Sequence, residues 1–211
     1  MSDSPPEARR ALKILKDGNA RFVERLARSG GPANVQEPLE LPDEQRPTAI
    51  ILGCSDARVP AEIVFDQGLG DLYVIRVAGN IVAPSLVGSV EFAVSEFGTR
   101  LVVVMGHTRC GAVQATIEEI RRPAGPPSAN LASIVDRIRP HVESYVRENP
   151  HEESSAVWRG AVRANVHASV DELRAGSAIL EQLIAEDSIL VVGAEYCLGS
   201  GVVTFFDNEG P

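Results

Sequence analysis

Thr48-Ala49-Ile50-Ile51-Leu52-Gly53-Cys54-Ser55-Asp56-Ala57-Arg58 and Leu101-Val102-Val103-Val104-Met105-Gly106-His107-Thr108-Arg109-Cys110-Gly111 are the two stretches whose reading decides the fold. In each, an unbroken apolar run ends in a short polar segment that carries a cysteine. Runs without polar alternation are expected of parallel strands covered on both faces. Leu72-Tyr73-Val74-Ile75 and Ile189-Leu190-Val191-Val192 repeat the type. Helical spacing fills the intervals: Gly88 to Phe97, Gly111 to Arg122, Leu131 to Val146, Ser154 to Arg174 and Ser177 to Ala185. Strand alternating with helix predicts βαβ units, right-handed crossovers and a central, mostly parallel sheet. The last candidate strand, Val202 to Phe206, follows Tyr196 after only a short Gly199-Ser200-Gly201 turn, which permits only an antiparallel partner. The expected fold class is therefore α/β, with four parallel strands, an antiparallel edge strand and flanking helices.

Upstream, Ala11, Leu12, Leu15, Phe22, Val23 and Leu26 approximate helical spacing from Glu7 to Ala27, and Gly18-Asn19 is expected to end one short helix before another begins. Ser29 to Pro47 is rich in Gly and Pro and reads as a long connector. These features predict an N-terminal helical arm and connector over residues 1–47 and an α/β domain over 48–211, forming a single domain overall. Pro123 to Pro127 reads as a turn-rich bridge inside that domain.

A chain of 211 residues has length for one proper core, and 44% apolar with 23% charged residues is ordinary for a globular protein. The net charge of −9 disfavours sustained contact with nucleic acid or an anionic membrane. No apolar run approaches the roughly 20 residues that span a bilayer. Met1 to Pro6 lacks the basic-then-apolar pattern of a secretory leader. Three cysteines do not form a disulfide framework, so metal binding or catalysis in a reducing cytoplasm is the expectation.

In an open parallel sheet, ligands bind beyond the carboxyl ends of the strands. Cys54 directly follows the first strand, while His107 and Cys110 follow the third. Two thiolates and an imidazole suit zinc, and three protein ligands leave a position for water. Cys110 and Gly111 would also begin a helix, where free amides and the helix dipole favour a thiolate. An isolated cysteine is more often a core residue than a ligand. The His-x-x-Cys spacing with a second cysteine and an acid at another strand end shifts the balance toward a metal. Cys197 has no such partner and reads as structural. Asp56 and Arg58 lie two residues apart, the spacing of an ion pair beside the expected metal. Asp56 can then orient bound water, or fill the fourth metal position if it leaves Arg58.

As they stand, these residues resemble the β-class carbonic anhydrases. Cys54-Ser55-Asp56-Ala57-Arg58-Val59 is similar to that family's Cys-Ser-Asp-Ser-Arg-Val signature, and Gly106-His107-Thr108-Arg109-Cys110-Gly111 matches its Gly-His-x-x-Cys-Gly. The likeness runs from Leu15-Lys16-Asp17-Gly18-Asn19-Ala20-Arg21-Phe22 through Tyr196. It implies Zn2+ held by Cys54, His107 and Cys110, with Asp56 either paired to Arg58 or serving as the fourth ligand in a closed form. It further implies interconversion of carbon dioxide and bicarbonate by zinc-bound hydroxide. By the same resemblance, Gln45 falls where a glutamine hydrogen-bonds substrate, and Tyr73, Ala78 and Phe92 fall at the walls of the carbon dioxide pocket. Gln45 and the backbone N–H of Gly111 are the expected donors to substrate oxygen. Much of that wall comes from a neighbouring subunit in the family, so a homodimer or homotetramer is implied. Ile51 stands where some members carry a tryptophan that, with counterparts of Arg76 and Tyr196, binds regulatory bicarbonate; no such site is expected here.

Two other readings keep the same residues. Carbonyl sulfide or carbon disulfide hydrolysis needs the same nucleophile, and Ala78, standing where valine is common, leaves room for sulfur. A noncatalytic protein with a closed four-ligand zinc site is the other. His141, His151 and His167 are expected in surface or capping roles, and Trp158 in a core or interface.

Overall fold

A computed structural model describes residues 5–29, 44–123, 125–150 and 154–206. The predicted connector falls largely in 30–43, and His151 in 151–153, outside the described residues. The elements in chain order are α1 (Pro6–Ser29), β1 (Ala49–Gly53), a one-turn α2 (Ala61–Val64), β2 (Leu72–Arg76), a 3₁₀ turn (Ala78–Asn80), α3 (Pro84–Phe97), β3 (Leu101–His107), α4 (Gly111–Arg121), α5 (Ala129–Glu148), α6 (Ser154–Ala175), α7 (Ala178–Ala185), β4 (Leu190–Tyr196) and β5 (Val203–Phe205).

The five strands form one sheet in the order β2-β1-β3-β4-β5. β1 pairs in parallel with both β2 and β3, β3 pairs in parallel with β4, and β5 alone is antiparallel. Every residue of β1 and β3 is buried, which explains their unbroken apolar sequence. Alternate side chains feed two cores. Ala49, Ile51, Leu101, Val103 and Met105 pack beneath α1, whereas Ile50, Leu52, Val102 and Val104 pack beneath α3, α6 and α7. A third cluster, containing Ile138, Val142, Val157 and Val162, lies among α4, α5 and α6 and takes in Cys54 and Cys110. Because β2 and β3 flank β1 on opposite sides, the chain reverses its direction of travel across the sheet between them. The carboxyl edge of β1 and β3 is thus the topological switch point where doubly wound sheets bind ligands.

One expectation fails. Gly18-Asn19 does not break the N-terminal helix; α1 is continuous over 24 residues. The glycine is there for close approach, because a Cβ at position 18 would lie 1.8 Å from the Phe65 carbonyl oxygen. The buried Asn19 amide then donates to the carbonyls of Val64 and Gly201, at 2.9 Å each, and its oxygen accepts from Val203 N at 2.9 Å. A Gly-Asn pair that looks like a helix stop is here the point where α1 is fastened to the segment after α2 and to the β4–β5 turn. Ala8, Ala11, Leu12, Leu15 and Phe22 of α1 are buried in the same core as β1 and β3. Among the described residues, no helix is long and apolar enough to cross a membrane.

Candidate metal centre and active site

Cys54 follows β1 directly and is 5% exposed; His107 ends β3 and is fully buried; Cys110 is the N-cap of α4 and is 1% exposed. A turn through Arg109, whose φ of 58° lies in the left-handed region, brings Cys110 back beside His107. Such a conformation costs of order 1–3 kcal/mol in a non-glycine residue and is concentrated at functional sites. The two sulfurs and an imidazole nitrogen all lie within 4.8 Å of one another. His107 Nδ1 lies 3.0 Å from the carbonyl oxygen of Thr108 and therefore acts as its donor. The other nitrogen, Nε2, is left as the ring's acceptor. It is buried and, among the described residues, has no hydrogen-bond partner. Two soft donors and an orphaned ring nitrogen, with the second nitrogen engaged by a carbonyl, are the donor set and outer contact of a metal site.

The thiols are unequal. A hydrogen bond from Cys110 holds the Cys54 thiol well below its usual range against the opposing effect of burial, with the Gly79 amide assisting. Cys110 is pushed up by the same partner and by burial. One proton shared between two converging sulfurs is readily displaced by a cation. The Gly79 N–H lies 3.4 Å from Cys54 Sγ, and Arg76 donates to the carbonyls of Cys54 (3.0 Å) and Asp56 (2.6 Å). Arg76 is therefore bound to the backbone of this loop.

Asp56 faces the cluster without entering it, with Oδ2 3.8 Å from His107 Nε2. Arg58 holds it through three hydrogen bonds: N and Nε to Oδ1 at 2.9 Å each, and a terminal nitrogen to Oδ2 at 2.6 Å. That guanidinium keeps the Asp56 carboxyl well below the usual carboxylate range. The stability the pair contributes is present above the ordinary value of about 4 and is lost only as pH falls through the depressed one. No change in Asp56 is expected between pH 6 and 9.

The remaining predicted residues divide into two groups. Ala78 and Gly111 line one groove with Ala112, Ala115 and Ile134, a groove that Cys54, His107 and Cys110 do not line; they adjoin the site only as chain neighbours of Gly79 and Cys110. Gln45 lines a different cleft with Thr48, Thr99 and Leu101, at the amino ends of the strands. Tyr73 pairs with Ile50 near that same end, and the 51% exposed Phe92 packs against it with ring centroids 6.5 Å apart. These three are not gathered around this chain's own cysteines. Cys197 lies in the β4–β5 turn, outside the cluster, its thiol held below its usual range by the Ser200 hydroxyl.

His141 corrects the surface reading, since its side chain is only 6% exposed and both ring nitrogens are engaged. His167 is exposed and stacks on Phe206. Trp158 Nε1 donates to the Cys110 carbonyl at 3.0 Å, a contact to the cysteine-bearing loop that no spacing in the sequence foretells. Gly79 was detectable only as a Gly-Asn turn signal beyond the second strand.

The sequence profile of the carbonic anhydrase family matches residues 49–203. Carbonic anhydrase 2 of Mycobacterium tuberculosis is 37% identical over 204 residues, spanning 95% of this chain and 93% of the relative. Carbonic anhydrase of Mycolicibacterium smegmatis is 37% identical over 219 residues, spanning 100% and 98%. A tetrameric β-carbonic anhydrase from Sordaria macrospora shares the fold at a TM-score of 0.70 and 20% identity, over 96% of this chain and 100% of that one. The chain belongs to the β-class carbonic anhydrases. It is an enzyme of that family, and its Cys54–His107–Cys110 cluster fits carbon dioxide hydration.

Proposed function

We propose that the protein catalyses the reversible hydration of carbon dioxide to bicarbonate and a proton with Zn2+ held by Cys54, His107 and Cys110. The observation that carries this reading is the convergence of those three donors with Asp56 poised beside them and already engaged by Arg58. Zinc in that position would supply Lewis acidity, lowering the pKa of a water molecule there. Asp56 accepts a hydrogen bond from the attacking water and turns a lone pair toward the substrate carbon. Arg58 keeps Asp56 in that role by holding it off the cluster. The Gly111 amide belongs to the first turn of α4, whose N–H groups lack intrahelical acceptors, and it donates to a substrate oxygen as charge develops there.

Gln45, Tyr73 and Phe92 act in the neighbouring subunit's site. Their place at the amino ends of the strands, and the exposure of Phe92, suit a homodimer or homotetramer in which one copy completes the other's pocket beside Ala78 and Gly111. Free thiols in the metal site suit a reducing cytoplasm.

Stopped-flow hydration of carbon dioxide by zinc-replete protein tests the reading. Turnover well above buffer is expected; none at one zinc per chain would reject it, and hydrogen sulfide release from carbonyl sulfide outpacing hydration would reassign the substrate. The Arg58→Ala variant frees Asp56 to reach the metal as a fourth ligand. It is expected to lose about a hundredfold in turnover at both pH 7 and pH 9 with its zinc retained. Activity like that of the unaltered protein across that range would contradict the role given to the pair.

A further inference from the structure

One helix face touches the 107–110 segment and the Gly79 turn that bonds Cys54. Trp158 of α6 bonds the Cys110 carbonyl. Val162 and Val166 close on Gly106, immediately before His107, where a Cβ would lie 2.5 Å from Val166 Cγ2. Asn165, 1% exposed, donates through Nδ2 to the Gly79 carbonyl at 2.9 Å. Positions 158, 162, 165 and 166 share one face of a helix.

Asn165 is itself clamped. Its Oδ1 lies 3.0 Å from His141 Nδ1 of α5, and His141 Nε2 lies 2.9 Å from Glu172 Oε1, two turns further along α6. With the Asn165 amide nitrogen committed to Gly79, its oxygen must accept from the imidazole. A flipped amide would lose both bonds. Position 79 requires glycine, because its φ of 73° lies in the left-handed region and Ile138 Cδ1 would lie 2.6 Å from any Cβ there, and a glycine has no side chain of its own to hold its peptide units. The Gly79 carbonyl shares a planar peptide unit with the Asn80 N–H, which bonds the Val77 carbonyl at 3.2 Å; with that unit held at both ends, Gly79 is seated with its own N–H 3.4 Å from Cys54 Sγ.

We propose that Asn165, locked in orientation by His141 and Glu172, is a positioning residue for the metal centre that holds the Gly79 amide on the Cys54 sulfur. The inference rests on reading the cluster as a zinc site. The N–H bond withdraws charge from the thiolate and fixes its lone pairs. Without it, Cys54 is a more mobile ligand.

The test is the rate at which zinc-loaded protein gives up zinc to a chromogenic chelator, together with the sulfur-to-metal charge-transfer band of the cobalt-substituted protein. Asn165→Asp replaces the donor by an acceptor of the same shape and is expected to speed release about tenfold, as loss of outer contacts to metal ligands does, and to shift the band. His141→Phe is expected to act in the same direction. Glu172→Gln keeps an acceptor for the ring and is expected to stay near the unaltered protein. Asn19→Ala, which removes three buried hydrogen bonds of α1 that none of the proposed ligands or Gly79 shares, is expected to lower the melting temperature without altering release. Unaltered release and an unmoved band in folded Asn165→Asp or His141→Phe would overturn the proposal, as would equal acceleration in Asn19→Ala. If Asn165→Asp does not fold, His141→Phe decides. Failure of the unaltered protein to hold zinc would instead refute the metal reading on which the proposal stands.

Discussion

The Cys54→Ser variant is expected to lose its zinc and at least about a thousandfold in hydration rate, because several kcal/mol of metal-derived stabilisation go with the ion. The change is sterically small, and Cys54 sits at 5% exposure in a packed cluster, so the fold should survive it. Its chemistry is different. The Cys54 thiol is held below its usual range by Cys110 and the Gly79 amide, and the thiolate is the form that binds a cation. A serine hydroxyl in the same surroundings stays protonated and neutral, leaving Cys110 and His107 to hold the ion alone. Elemental analysis and stopped-flow hydration on the same preparation check this, with Cys197→Ser expected to retain both zinc and rate. Full zinc content in Cys54→Ser would remove Cys54 from the ligand set.

The largest effect on stability is expected from Gly18→Ala. In an exposed helix interior that change stabilises, by about 1 kcal/mol. Here the new methyl would sit 1.8 Å from a backbone oxygen of Phe65, and neither α1 nor the segment after α2 can move without breaking the Asn19 bonds to Val64, Gly201 and Val203. Overpacking against backbone costs about 3 kcal/mol, which for a domain of this size lowers the melting temperature by roughly 6–12 °C. Thermal unfolding monitored by circular dichroism measures it. A melting temperature equal to or above that of the unaltered protein would show that α1 is not fastened at this point. Metal content should be unaffected, since Gly18 lies on the opposite face of the sheet from α6.

Much of the architecture was legible in the sequence because burial on both faces leaves a simple trace. Ala49 to Leu52 and Leu101 to Met105 admit no polar residue, and the short turn before Val203 dictates an antiparallel edge. The ligand segments were legible because their residue types are chemically unusual at strand ends. Strand order was not, since nothing local tells β2 and β3 to flank β1. Gly18-Asn19 misled for a definite reason: the residues that end helices are also those that let a helix approach a neighbouring backbone and bond it. The contacts made by Trp158, Asn165 and His141 were illegible because they depend on how α5 and α6 rotate about their axes. The spacing of apolar residues fixes that rotation too coarsely to say which polar group meets which carbonyl.

The central claim is that two sulfurs and one imidazole nitrogen, from segments more than fifty residues apart in the chain, hold a single zinc ion with room for solvent. Zinc-edge X-ray absorption on the purified protein at pH 8 tests it most directly. One zinc per chain with two sulfur and two lighter neighbours is expected, and in Arg58→Ala the solvent oxygen should give way to Asp56. A zinc-free protein, or an ion bound without sulfur, would contradict it.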